Sequence, residues 1–140
     1  MRARLDVLAA IFVGGCLGGL ARYATVRAWP MDPGTFPWPT LAVNLIGAML
    51  LAVLLVFAGQ VWRSRYARPL LGTGFCGAFT TFSSVVVDSD RLFARGTPGL
   101  ALAYLAASFV GGLIVAVAGV ILARATLDRR TGAGTAGEEA

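Results

Sequence analysis

The chain has 140 residues, 57% of them hydrophobic and 14% charged, with a mean hydropathy of +0.75; a soluble domain carries about 25% charged residues. Length leaves room for a single domain, and composition makes it an integral membrane protein. All 12 basic residues are arginine, there is no histidine, and the net charge is +5; these arginines gather at the ends of apolar runs, which fits contact with membrane lipid and not a nucleic-acid-binding stripe.

A bilayer span needs ~20 mostly apolar residues, and the first candidate covers residues 5–23. Arg2 and Arg4 precede it as they would a signal peptide, but GGCLGGLARY offers no convincing cleavage site and further apolar segments follow. The segment is therefore read as a retained helix. Gly14 and Gly18 are four apart, as are Gly15 and Gly19, a spacing that lets another backbone approach closely. Arg22 ends this span. It either snorkels to the interface or concentrates anions at a pore mouth.

The turn-rich WPMDPGTFPW leads into a second span, residues 39–60. Asn44 lies inside it, with Thr40 one turn earlier on the same face. A carboxamide in hydrocarbon needs a partner. Two uses are open: a hydrogen bond between helices, or an amide donor aimed at an anion.

The third span, residues 69–87, follows the arginine-bearing WRSRYAR and contains GTGFCGAFTTFSS from Gly72 to Ser84. Glycines and threonines loosen a helix, so backbone groups come free at bilayer depth. Such backbone must be buried in protein or line a polar cavity, and broken helices near the midplane are where transporters hold ions. Phe75, Phe79 and Phe82 cluster there, either as core or as rings whose positive edges face an anion.

The fourth span covers residues 98–123. Tyr104 and Ser108 share a helical stripe whose next position is Gly112. With Asn44 and the threonines they outline a polar track without a charged side chain, which suits a small ion that must bind and leave. No Asp or Glu is expected at membrane depth, which disfavours a carboxylate-coupled small multidrug-type antiporter. With no histidine and the acids in loops and tail, nothing supports an enzyme. Cys16 and Cys76 read as small apolar fillers, not as a disulfide or metal pair.

Four spans put both termini and the second loop on one side, with Arg2, Arg4, Arg63, Arg65, Arg68, Arg124, Arg129 and Arg130; Arg22, Arg27, Arg91 and Arg95 lie on the other. The positive-inside rule then places both ends in the cytoplasm of a multi-pass protein of the inner (plasma) membrane. The organisation expected is an all-α, four-helix transmembrane channel domain over residues 1–126 and a flexible polar tail over 127–140.

Together GGCLGGLARY at 14–23, PTLAVNLIG at 39–47, GFCGAFTTFSS at 74–84, and Tyr104 with Ser108 resemble the Fluc/CrcB family of fluoride channels. The resemblance covers all four spans in order. It implies an antiparallel, dual-topology dimer with the third helix broken mid-membrane and two fluoride pathways. By the same resemblance Asn44 would donate to fluoride, Phe82 would present a ring edge, and Thr40, Tyr104 and Ser108 would form the track, with Arg22 near a vestibule. A structural sodium ion would sit on backbone carbonyls of Gly77 and Thr80, and carbonyl oxygens suit a hard cation.

Two positions depart from the family pattern. TTFSSV stands where the family commonly has TTFSTF, so Val85 occupies a pore phenylalanine position, and Gly112 replaces a frequent hydroxyl residue. Valine offers no aromatic edge. Together with the arginine bias, which favours one orientation, this points to a heterodimer with a paralogous, oppositely oriented chain. The expected function is passive fluoride export relieving fluoride toxicity, either as a conducting subunit or as a pore-degenerate partner that completes another chain's pathway.

Overall fold

A computed structural model describes residues 2–60 and 64–135, with side chains over 4–58 and 64–129. All regular structure among them is helical: α1 (Arg2–Ala28), α2 (Trp38–Gln60), a π-helix (Arg68–Cys76), a single α turn α3 (Gly77–Phe79), α4 (Phe82–Ala94) and α5 (Pro98–Thr135). Four stretches are long and apolar enough to cross a membrane: Arg4–Ala28, Trp38–Ala58, Arg68–Ala94 and Pro98–Arg129.

Three of the expected boundaries move. Helix α1 continues past 23 to Ala28 because no breaker intervenes and the Thr25 hydroxyl bonds back to the Ala21 carbonyl at 2.9 Å. The third stretch runs beyond 87 to Ala94 and stops at a Schellman cap. There Gly96 takes φ +74° while Gly96 N–H donates to Phe93 O at 3.0 Å and Thr97 N–H to Leu92 O at 3.1 Å. This extension corrects the expectation that no acid lies in the spans, since Asp88 and Asp90 now belong to α4. Asp6, already inside the 5–23 span, also falls within the first stretch. Helix α5 passes the boundary drawn at 126 and reaches Thr135, with Leu127 buried; residues 136–140 lie outside the described set.

Backbone contact joins α1 to the π-helix. A Cβ on Gly14 would stand 2.0 Å from the Leu70 carbonyl oxygen, one on Gly18 2.2 Å from that of Phe75, and one on Gly74 2.5 Å from that of Ile11. Without a hydrophobic drive in lipid, such close approach supplies the packing. Gly19 and Gly112 meet nothing within 4 Å. Helix α4 packs on α2 and α5 through Leu41, Val85, Leu92, Ala101 and Tyr104, with Phe36 edge-on to Tyr104 at 5.5 Å. At the opposite end Arg65 pairs with Asp6, and the Tyr66 hydroxyl donates to the same carboxylate at 2.7 Å. This cluster is exposed and contributes little. Cys76 is buried, as a small apolar filler should be, whereas Cys16 is exposed.

Candidate functional site

Between α3 and α4 the chain takes two extended residues, Thr80 (φ −78°, ψ 156°) and Thr81 (φ −149°, ψ 119°). Their side chains rebuild what the helix loses. Thr80 closes the upstream turn, donating from both N–H and Oγ1 to the Cys76 carbonyl at 3.0 Å. Thr81 Oγ1 accepts from Ser84 N–H at 3.2 Å and so caps α4. Asn44 spans the gap from α2: its Nδ2 donates to Thr81 O at 3.0 Å, and Thr81 N–H donates to its Oδ1 at 2.8 Å. A carboxamide is suited to this because it carries donor and acceptor together. Gly47 makes room for the join, since a Cβ there would stand 2.2 Å from the Thr80 methyl.

This arrangement releases carbonyls from the helical ladder, Gly77 O and Thr80 O among them. The N–H that would bond Gly77 O belongs to Thr81 and goes to Asn44; the one that would bond Thr80 O belongs to Ser84 and goes to the Thr81 hydroxyl. Thr80 O instead accepts a long hydrogen bond, 3.4 Å, from Arg22 Nη1. Arg22 therefore turns toward the break.

The hydroxyls of Tyr104 and Ser108 on α5 are buried and make no well-formed hydrogen bond among the described residues, although they lie within reach of each other and Tyr104 Oη lies within reach of Thr40. Tyr104 has no exposed surface at all. Close by in the sequence of α2, Thr40 donates to Asp88 Oδ2 at 2.8 Å, and Arg91 Nη1 stands 3.6 Å from the other carboxylate oxygen. Asp88 is only 8% exposed. Sequence reasoning missed it by ending the span at 87. The signal was present: Val85, Asp88, Ser89 and Leu92 fall on one helical face, and all four are buried. A cavity of about 360 Å³ opens on Thr40, Ser83, Ser84, Asp88 and Arg91.

Phe82 and Val85 part ways. Phe82 is 67% exposed and touches the Phe109 ring at 6.3 Å. Val85 is buried in the cluster that holds Tyr104. Phe75 and Phe79 stack on each other at 5.5 Å, with Phe79 buried as core. The structure thus joins Asn44 to the break, draws Arg22 onto Thr80, and gathers Thr40 and Val85 near Tyr104. It leaves Phe82 facing outward.

Residues 9–120 match the family model described as "CrcB-like protein, Camphor Resistance (CrcB)". The chain belongs to the CrcB family. Among curated relatives it is 46% identical over 130 residues to "Fluoride-specific ion channel FluC 3" of Streptomyces avermitilis, covering 92% of this chain and 64% of that one. It is 42% identical over 124 residues to FluC 1 of Mycobacterium bovis, covering 88% and 94%. It is 47% identical over 124 residues to FluC 2 of Listeria monocytogenes, covering 85% and 93%. The chain spans about two thirds of the length of the two Streptomyces avermitilis relatives, 64% and 65%. Membership in the CrcB family now argues against an antiporter; the absence of a carboxylate no longer can, because Asp88 is buried in α4.

Proposed function

We propose that this chain is a subunit of a fluoride-selective channel through which the anion leaves the cytoplasm passively. The observation that carries the reading is the pair of buried hydroxyls, Tyr104 Oη and Ser108 Oγ, neither of which makes a well-formed hydrogen bond among the described residues. A buried unsatisfied polar group costs about 1–3 kcal/mol. Two of them one helical turn apart gain most from a guest that accepts hydrogen bonds, and a small hard anion that sheds its water needs such donors. The relatives' names, fluoride-specific ion channels, describe the same chemistry.

Fluoride would move from Ser108 and Tyr104 to Thr40, whose hydroxyl would turn from Asp88 to the anion. Asn44 Nδ2 gives one proton to Thr81 O and keeps a second for fluoride. Phe82, exposed on the single subunit, would offer its ring edge to a pathway completed by a second, oppositely oriented subunit. Gly77, beside which a Cβ would meet nothing within 4 Å, would lie under the same partner. The freed carbonyls of Gly77 and Thr80 fit a sodium ion between the subunits; Thr80 O has a second lone pair beyond the one facing Arg22. When bound, that ion would neutralise converging carbonyl dipoles. The helix break would then sit at mid-membrane, in a plasma-membrane protein with both termini cytoplasmic.

Val85 supports a heterodimer. It packs beside Tyr104 without supplying an aromatic edge, so a paralogous partner with phenylalanine there would complete one pathway. The test is fluoride efflux from liposomes, followed with a selective electrode. The chain alone should leak fluoride weakly, and the chain with such a partner strongly, with chloride retained in both. Absence of fluoride efflux from either preparation would overturn the channel, and robust efflux from the chain alone would overturn the heterodimer.

A further inference from the structure

We propose that the groove between α2 and α5 holds one acyl chain of an anionic phospholipid, with its phosphate on Arg124. The two helices touch where Gly119 faces Met49 and Ala52; a Cβ on Gly119 would stand 3.0 Å from the Met49 carbonyl oxygen and 3.1 Å from the Ala52 Cβ. Small residues at Ala48, Ala52 and Ala116 leave a furrow there of about 920 Å³. Exposed Leu55 and Ile121 flank it. The lining is apolar throughout except at one end, where Arg124 stands exposed.

Length and charge both select the occupant. The lining runs from 48 to 56 on α2 and from 116 to 124 on α5, about 12 Å on each at 1.5 Å per residue. One leaflet of a bilayer with an apolar core ~30 Å thick is about 15 Å deep. The furrow therefore suits a single acyl chain entering from one surface, with the headgroup at the arginine. A neighbouring groove of about 400 Å³ shares Leu51 and Leu55 and carries Arg68, so both flanks of α2 present a guanidinium. Basic pockets between transmembrane helices at a membrane surface take anionic headgroups. Asp128, one turn beyond Arg124, limits the attraction without lining the groove. A second copy of this chain is a poorer occupant, because each of its ends brings further arginines toward Arg124.

The test is native mass spectrometry of the full-length assembly, equilibrated with an equimolar mixture of phosphatidylglycerol and phosphatidylcholine. Bound phosphatidylglycerol should exceed phosphatidylcholine several-fold. Arg124→Gln should lower its retention about fivefold and erase the preference, whereas Arg129→Gln should leave both unchanged. Ala116→Phe, which fills the furrow, should displace lipid of either kind while the assembly keeps its mass. Equal retention of the two lipids by the unaltered protein, or an indifferent Arg124→Gln, would overturn the proposal. So would an Ala116→Phe variant that splits the assembly, because the groove would then be a seam between subunits.

Discussion

Where α1 meets the π-helix, glycines bring backbone against backbone and no polar side chain intervenes. Where α2, α4 and α5 meet, the side chains are present and two of their hydroxyls make no well-formed hydrogen bond among the described residues. The first seam is held together by what has been removed from it. The second keeps donors that the fold itself does not use. In lipid both are informative, because close packing is the main attraction between helices and an unpaired polar group has no water to fall back on. The first seam thus holds the fold, and the second is where a guest belongs.

The contrast breaks most severely at Gly14. Its Cβ position lies 2.0 Å from the Leu70 carbonyl oxygen, a backbone atom that cannot step aside. Gly14→Val should leave no monodisperse protein on size exclusion, beyond the ~1–3 kcal/mol usual for overpacking. Gly19→Ala, whose added methyl meets nothing within 4 Å, should behave as the parent chain. If both variants purify alike, the α1 seam is not the holding one.

Asn44 lies on the boundary between the two regions, bonded to the break and, on the proposed function, a donor to the anion. Asn44→Ala orphans the N–H of Thr81, at roughly 1–3 kcal/mol for a group left without solvent, and takes one donor from its C=O, which as the N-cap carbonyl of α4 keeps the first bond of that helix. Asn44→Asp keeps the acceptor for Thr81 N–H but can donate to Thr81 O only while protonated, and its charged form is costly at bilayer depth, so its unfolding temperature should fall as pH rises. Thermal unfolding in detergent ranks the three proteins, and efflux should fall in both variants. A stable Asn44→Ala protein would show that Thr81 finds other partners.

Hydropathy made the four spans legible, because the need for ~20 apolar residues is nearly independent of what each helix packs against. The threonine-rich run was legible too, as a place where helical hydrogen bonds weaken. Its partners were not. The Asn44–Thr81 pair joins residues 37 apart and the Arg22–Thr80 bond residues 58 apart, and nothing local to either residue encodes its reach. Asn44 could be read as an interhelical bond or an anion donor; the structure shows the bond and leaves a proton for the other. Asp88 was hidden for a related reason. An acid at the end of an apolar run looks like the edge of the membrane until Thr40, 48 residues away, is seen donating to it.

Val85 sharpens the comparison from the other side. It is 4% exposed, so Val85→Phe must enlarge a packed cluster beside Tyr104, at about 1–3 kcal/mol. If position 85 limits conduction, the same variant should raise fluoride efflux from the chain alone while lowering its unfolding temperature. A loss of stability with no gain in flux would mean that a ring at 85 cannot reach the pathway in this subunit.

The smallest effect on stability is the most telling. Most buried hydroxyls hold a protein together, so removing one costs about 1 kcal/mol through the lost hydrogen bond. Ser108 Oγ and Tyr104 Oη, though within reach of each other, have no well-formed bond to lose among the described residues. Ser108→Ala and Tyr104→Phe each delete one oxygen and keep nearly the same shape. Both should unfold within about 0.5 kcal/mol of the parent, or slightly above it, since an unsatisfied group leaves a buried site. Fluoride efflux should nevertheless fall in both, because what is deleted is a donor to the anion. The two readouts separate the hypotheses cleanly. A hydroxyl that served packing would lower stability and spare flux, while one kept for a guest does the reverse.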